Sequence, residues 1–212
     1  MADVVKLTFN PFQENTYLVH DDSGECIIFD PGCYTPDENR ELSRAIEQRR
    51  LRPVRLINTH CHIDHIFGNQ YVMDTYGLEL EIHPLELRIL QAAPQVALMF
   101  GLPPGPPQPA PGRFIEEGDV IRFGNTELEV LLTPGHSPGS LCFYSRRDGF
   151  LIAGDVLFQR SIGRTDLPGG DYQTLIGSIL AKVMPLPDET IVYPGHGPGT
   201  TVGEERRENP FL

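Results

Sequence analysis

Three histidines and an aspartate fall within the six residues His60–His65 of the stretch Thr59-His60-Cys61-His62-Ile63-Asp64-His65, directly after the apolar run Val54–Asn58. On a tight loop leaving a strand, this spacing lets His60 and His62 face one metal ion while Asp64 and His65 face a second. Neutral imidazole and carboxylate suit zinc, iron or manganese, and no thiolate ligand is required. A lone surface histidine usually has a bland explanation; four donors packed at a strand end do not.

Three further residues share that placement. His136 follows the run Leu128–Thr133 in TPGHSPGS, Asp155 follows Phe150–Ala153 in AGD, and His196 follows Thr190–Tyr193 in YPGHG. Each stands beside a glycine that permits a sharp turn and close backbone approach. Ligands delivered from several strand ends to one sheet edge are how a rigid scaffold positions loop chemistry. Asp64 and Asp155 are the candidate catalytic carboxylates. His20 in VHDD and His83 in EIHP have nothing converging on them and read as strand-end residues. Asp30, closing CIIFD before Pro31-Gly32, suits either an acceptor that orients the histidine loop or a turn cap. Cys61 sits among ligands but is expected to point into packing.

The elements that must hold these residues are short. Met1–Asn10, Thr16–Val19, Cys26–Asp30, Val54–Asn58, Leu128–Thr133, Phe150–Ala153 and Thr190–Tyr193 have the length and composition of strands, several buried on both faces. Helices are predicted over Asp37–Arg50 (burying Leu42, Ala45 and Ile46) and Phe67–Tyr76, which stops at Gly77. A third is predicted over Asp171–Met184, with Asp171 as N-cap and a stripe of Leu175, Ile176, Ile179, Leu180 and Val183. The order mixes α and β without strict βαβα alternation. Pro103–Gly112, PPGPPQPAPG, holds six prolines and reads as a stiff surface excursion. Ala97–Phe100 before it reads as a core-packing helix end. One domain spanning residues 1–212 is expected.

A net charge of −12, with no basic run longer than pairs such as Arg49–Arg50 and Arg206–Arg207, disfavours a nucleic-acid partner. No stretch reaches the roughly 20 apolar residues of a membrane span, and the N-terminus lacks signal-peptide character. Cys26, Cys33, Cys61 and Cys142 show no CxxC spacing and read as reduced thiols, so a cytoplasmic location is expected.

The set THxHxDH, GH, GD, GH, spread over nearly the whole chain, resembles the metallo-β-lactamase superfamily. That resemblance implies an α+β fold, a four-layer αββα sandwich with the site at one edge of its sheets. It implies that His60, His62 and His136 bind one divalent metal ion, that Asp64, His65 and His196 bind a second, and that Asp155 bridges them. Zinc is the first choice, with iron or manganese as alternatives. Pro11–Tyr17 (PFQENTY), Gly154–Asp171 (GDVLFQRSIGRTDLPGGD) and the end VYPGHGPGTTVGEERRENPFL are similar to the short glyoxalase II-like hydrolases. This implies metal-dependent cleavage of the thioester of S-2-hydroxyacyl-glutathione by a metal-bound hydroxide, with Arg164 holding the glutathione moiety. Asp166 replaces the family's nearby Tyr, and the chain stops where full-length glyoxalase II continues into a helical extension. The alternative role for Arg164 is a local ion pair with Asp166.

A mono-iron persulfide dioxygenase of the same superfamily, using His60, His136 and Asp155, is the alternative; the long insertion between His65 and His136 is more similar to the hydrolases. A non-catalytic metal-bound module and a nuclease rank below both.

Overall fold

The first strands form because their side chains alternate or are wholly apolar over five to seven residues, and each run is cut by a turn. The computed structural model describes residues 1–103 and 107–212. Strands β1 (Asp3–Phe9), β2 (Glu14–His20) and β3 (Glu25–Phe29) pair antiparallel in sequence order. After β3 the chain crosses through helix α1 (Pro36–Gln48) to β4 (Arg52–Ile57), which lies parallel to β3. Parallel strands β5 (Leu80–Ile82) and β6 (Arg113–Phe114) complete a six-stranded sheet in the order β1-β2-β3-β4-β5-β6.

A second six-stranded sheet is built from β7 (Val120–Phe123), β8 (Thr126–Leu132), β9 (Leu141–Ser145), β10 (Phe150–Gly154), β13 (Ile191–Pro194) and β14 (Thr200–Thr201), with a small hairpin of β11 (Leu157–Phe158) and β12 (Ser161–Ile162) beside it in sequence. Its strand order is β14-β13-β10-β9-β8-β7, and the β10–β13 pairing is parallel. The contacts divide into two compact units, Met1–Phe114 with Phe123–Asn125, and Ile115–Arg122 with Thr126–Leu212.

The first unit has its own apolar core, including Leu18, Ile28, Leu42, Leu56, Ile66 and Leu80, all fully buried. Helix α1 joins it through Leu42, Ala45 and Ile46, the stripe expected from its periodicity. Its start is fixed by a reciprocal cap: Thr35 accepts from the Glu38 N–H, and Glu38 accepts from the Thr35 N–H. Burying one such leucine contributes roughly 1.5–3 kcal/mol, comparable to the whole cap. The second unit packs Leu151, Ala153 and Val192 of its sheet with Leu175, Ile179 and Val183.

Three helical expectations are corrected. The helix expected over Phe67–Tyr76 starts two residues later, as α3 (Asn69–Tyr76), and a break at Gly68 separates it from a short helix not expected, α2 (Ile63–Ile66). A Cβ at Gly68 would overlap the Cys33 sulfur, so the chain bends there against the 31–33 loop. Gly77, at φ 67°, stops α3 in the left-handed conformation as expected. Beyond Asp171, α5 (Tyr172–Ser178) runs into a π-helical turn, Ile179–Val183, which rotates Leu180 outward to 51% exposure. Helix α4 (Leu87–Met99) buries Ala97, but Leu98, Met99 and Phe100 are exposed at 57%, 84% and 46%; that end does not pack into the core.

Within the proline-rich excursion, residues 104–106 lie outside the described residues, and 107–112 carry neither helix nor strand. The remaining helix is α6 (Val202–Glu208), capped by Thr201. No helix among the described residues is long and apolar enough to cross a membrane.

Candidate metal centre

In the first unit the four clustered donors leave the end of β4. The loop is tied down before its donors are reached. Asp30, 2% exposed and at φ 47°, accepts from the Thr59 N–H at 2.7 Å and from the Thr59 hydroxyl at 2.6 Å. The same carboxylate faces His65 Nδ1 at 3.2 Å. Of the two roles open to Asp30 from sequence, loop orientation is the one realised. Asn58 donates to the His65 carbonyl and is itself held by Asn69. Asn10 donates to the Asp64 carbonyl, and the fully buried Glu86 accepts from the Cys61 N–H at 2.8 Å.

These contacts determine which ring nitrogens carry the proton. A carboxylate only accepts, so His65 donates to Asp30 through Nδ1 and is unprotonated at Nε2. The Thr59 hydroxyl spends its hydrogen on Asp30, so at 3.1 Å it accepts from His60 Nδ1, and His60 too is unprotonated at Nε2. That is the form in which imidazole binds metal, oriented by a partner on the other nitrogen. The His60 ring lies 4.8 Å from His62 and 4.1 Å from His65, centroid to centroid. Asp30, His60 and His65 bring donor atoms within 4.8 Å of one another. Asp64 approaches His65 Nε2 at 3.7 Å and is partly exposed, as is His62. Burial pushes the carboxyl of Glu14 well above its usual range, while neighbouring His65 pulls it down.

In the second unit the donors come one from each strand end. Asp155 follows β10 after Gly154 (φ 48°), His196 follows β13, and His136 lies in the loop after β8. His136 Nε2 and His196 Nε2 each stand 3.5 Å from the same oxygen, Asp155 Oδ2. His136 Nδ1 donates to the Arg164 carbonyl at 2.7 Å, which again leaves Nε2 as the unprotonated nitrogen. A Cβ at Gly163 would overlap the Asp155 carbonyl oxygen, so no side chain fits where this loop passes Asp155 and His136. The Arg164 guanidinium forms two 2.7 Å bonds to Asp166, the pairing foreseen as the alternative to glutathione contact. That ion pair holds the Asp166 carboxyl down at about 2.

The donors fit divalent metal ions of borderline hardness: unprotonated imidazole nitrogens beside carboxylate oxygens, with no sulfur among them. All four cysteines are free and buried. Burial pushes the Cys26, Cys33 and Cys142 thiols up to about 12, and Cys61, packed in the core, is raised as well. None is a thiolate at neutral pH. His83 caps a 3-10 turn by accepting from the Leu85 N–H, and His20 ends β2 near Asp3. Sequence reasoning passed over Asn10, Asn58, Asn69 and Glu86 as loop anchors. Asn10 and Asn58 flank segments already singled out; nothing in the sequence marks Glu86.

The family model of the metallo-β-lactamase superfamily matches residues 9–196. Hydroxyacylglutathione hydrolase GloC of Haemophilus influenzae is 38% identical over 202 residues, covering 95% of this chain and 93% of that protein. Among solved structures, the BLEG-1 B3 metallo-β-lactamase superposes with a TM-score of 0.90 at 38% identity, over 100% of this chain and 99% of that one. TTHA1623 in a di-iron-bound form gives 0.88 at 41% identity, over 99% and 100%. The fold is therefore the α+β metallo-β-lactamase fold that the histidine pattern implied, and the His/Asp clusters are those of a metal-dependent hydrolase family. The chain belongs to the metallo-β-lactamase superfamily.

Proposed function

We propose that this protein hydrolyses the thioester of S-2-hydroxyacyl-glutathione at a two-metal centre formed by His60, His62, Asp64, His65, His136, Asp155 and His196, acting as one domain over residues 1–212. The observation that carries the substrate is the 38% identity to hydroxyacylglutathione hydrolase GloC across nearly the full length of both chains. In this reading His60, His62 and His136 hold the first ion, Asp64, His65 and His196 the second, and Asp155 both. Zinc is the first choice, with iron and manganese accepted by the same donors.

A bound divalent ion lowers the pKa of its water from 15.7 to about 7 and polarises a carbonyl oxygen. The chain's own part is to fix the donors. Asp30, Thr59 and the Arg164 carbonyl keep His65, His60 and His136 in the metal-binding tautomer. A glutathione thiolate, with a thiol pKa near 8.5, leaves without a dedicated proton donor. Contact between Arg164 and a glutathione carboxylate requires exchange with Asp166, so Arg164 serves as a selective rather than a principal anchor. Four buried free thiols suit a reducing compartment, and the cytoplasm is the location assigned.

The test is an assay of metal-loaded protein on S-lactoylglutathione and on glutathione persulfide, with oxygen uptake followed in parallel. Thiol release without oxygen consumption is expected. Oxygen consumption without thioester cleavage would instead identify an iron dioxygenase.

A further inference from the structure

The proline-rich excursion is not used by the metal chemistry, yet it contains one side chain able to hydrogen-bond. In PPGPPQPAPG that residue is Gln108. Pro107 and Pro109 flank it, which fixes the neighbouring φ angles and biases Gln108 itself toward extended backbone. Its Oε1 is buried and finds no hydrogen-bond partner among the described residues. A buried amide oxygen left unbonded costs about 1–3 kcal/mol, which a well-placed donor would recover.

That oxygen belongs to a residue lining a small cavity. The cavity measures about 50 Å³, and its other walls are mainly apolar: Ile63, Ile66 and Phe67 from α2 and the turn after it, Ala93 from α4, and Tyr34. One water occupies roughly 10–15 Å³ on this measure, so the space holds three or four non-hydrogen atoms. Ile63 lies between His62 and Asp64 in the chain, and Ile66 follows His65. The cavity is therefore walled by the short helix that carries two of the metal-ligand candidates.

We propose that this cavity is the acyl subsite and that Gln108 reads the 2-hydroxyl: the apolar walls take the short aliphatic end, and Gln108 Oε1 accepts the hydroxyl hydrogen. The inference rests on the thioester reading above and deepens it, assigning selectivity for short 2-hydroxyacyl groups over their deoxy counterparts. Amide orientation does not alter the assignment, because a flipped Gln108 would donate to the same hydroxyl.

The test compares S-lactoylglutathione with S-propionylglutathione, which has the same three-carbon chain without the hydroxyl. Metal-loaded wild type is expected to favour the lactoyl thioester by about tenfold to a hundredfold in kcat/KM, and Gln108→Leu to bring that ratio toward one. Calorimetry with two uncleavable thioethers, S-(2-hydroxypropyl)glutathione and S-propylglutathione, repeats the comparison without catalysis. Ala93→Leu, which fills the cavity from another wall, is expected to weaken both thioethers. Equal cleavage of the two thioesters with equal thioether affinities overturns the subsite and leaves the proposed function standing. Hydroxyl-dependent thioether binding without thioester cleavage supports the subsite and overturns the proposed function. A wild-type preference that survives Gln108→Leu removes Gln108 from the role.

Discussion

The two sets of proposed ligand residues solve the same problem in opposite ways. In the first unit His60, His62, Asp64 and His65 are contiguous, and their loop is held by a buried polar scaffold of Asp30, Thr59, Asn58, Asn10 and Glu86. In the second, His136, Asp155 and His196 arrive singly from three strand ends, and the sheet does most of the positioning. A dense loop cannot satisfy its own backbone and so recruits buried side-chain acceptors and donors. Isolated ligands at strand ends need only a turn glycine and a main-chain carbonyl, as Arg164 supplies to His136. The first arrangement is vulnerable through its scaffold, the second through its ligands.

The largest effect is expected where the second unit has least redundancy. Asp155→Ala removes the oxygen that faces both His136 and His196. A loss of several kcal/mol of catalysis, on the order of a thousandfold in kcat/KM, should accompany loss of metal measured on the same preparation. Full metal occupancy in that variant would refute the bridging role. In the first unit, Asp30→Ala leaves every ligand intact yet frees Thr59 and His65; a 10–100-fold weaker metal affinity is expected by competition with a chelator. Unchanged affinity would show that the scaffold does not orient the loop.

Glu86 separates scaffold from ligand more finely. Glu86→Ala orphans the Cys61 N–H and should cost about 1–3 kcal/mol in urea unfolding, while Glu86→Gln keeps an acceptor and should recover much of it. Equal losses in both variants would locate the effect in packing instead. The smallest effect concerns the Arg164 side chain, since His136 relies only on the Arg164 carbonyl. Arg164 holds the Asp166 carboxyl at about 2, below its ordinary 3.8, so the pair's contribution is present above the ordinary value and fades as pH falls through about 2. In Arg164→Ala the Asp166 titration, followed by NMR, should return to the ordinary carboxylate range with only a small loss of stability at neutral pH, since the pair is exposed. A carboxyl still titrating near 2 would mean another group holds it.

The strand ends that carry the proposed ligands His136, Asp155 and His196 were readable because each is an apolar run closed by a glycine turn, a local signal. So was α1, whose cap and stripe lie within one segment. The break at Gly68 was not, because its cause is the Cys33 sulfur, 35 positions earlier in the chain. Nor was the π-helical turn at Ile179–Val183, since a stripe assumes the α period it is meant to detect. Glu86 escaped notice for a related reason: an isolated glutamate has no spacing, and only the fold brings it to the Cys61 N–H. Apolar residues at the end of α4 looked like core, but the chain turns there into the proline-rich excursion, which leaves Leu98 and Met99 outside.

If both sets of proposed ligands are filled in the working enzyme, metal analysis of a preparation of known turnover should find two divalent ions per chain, with S-lactoylglutathione hydrolysis falling as the second ion is titrated out. Full thioester turnover with a single iron per chain would refute a filled second set.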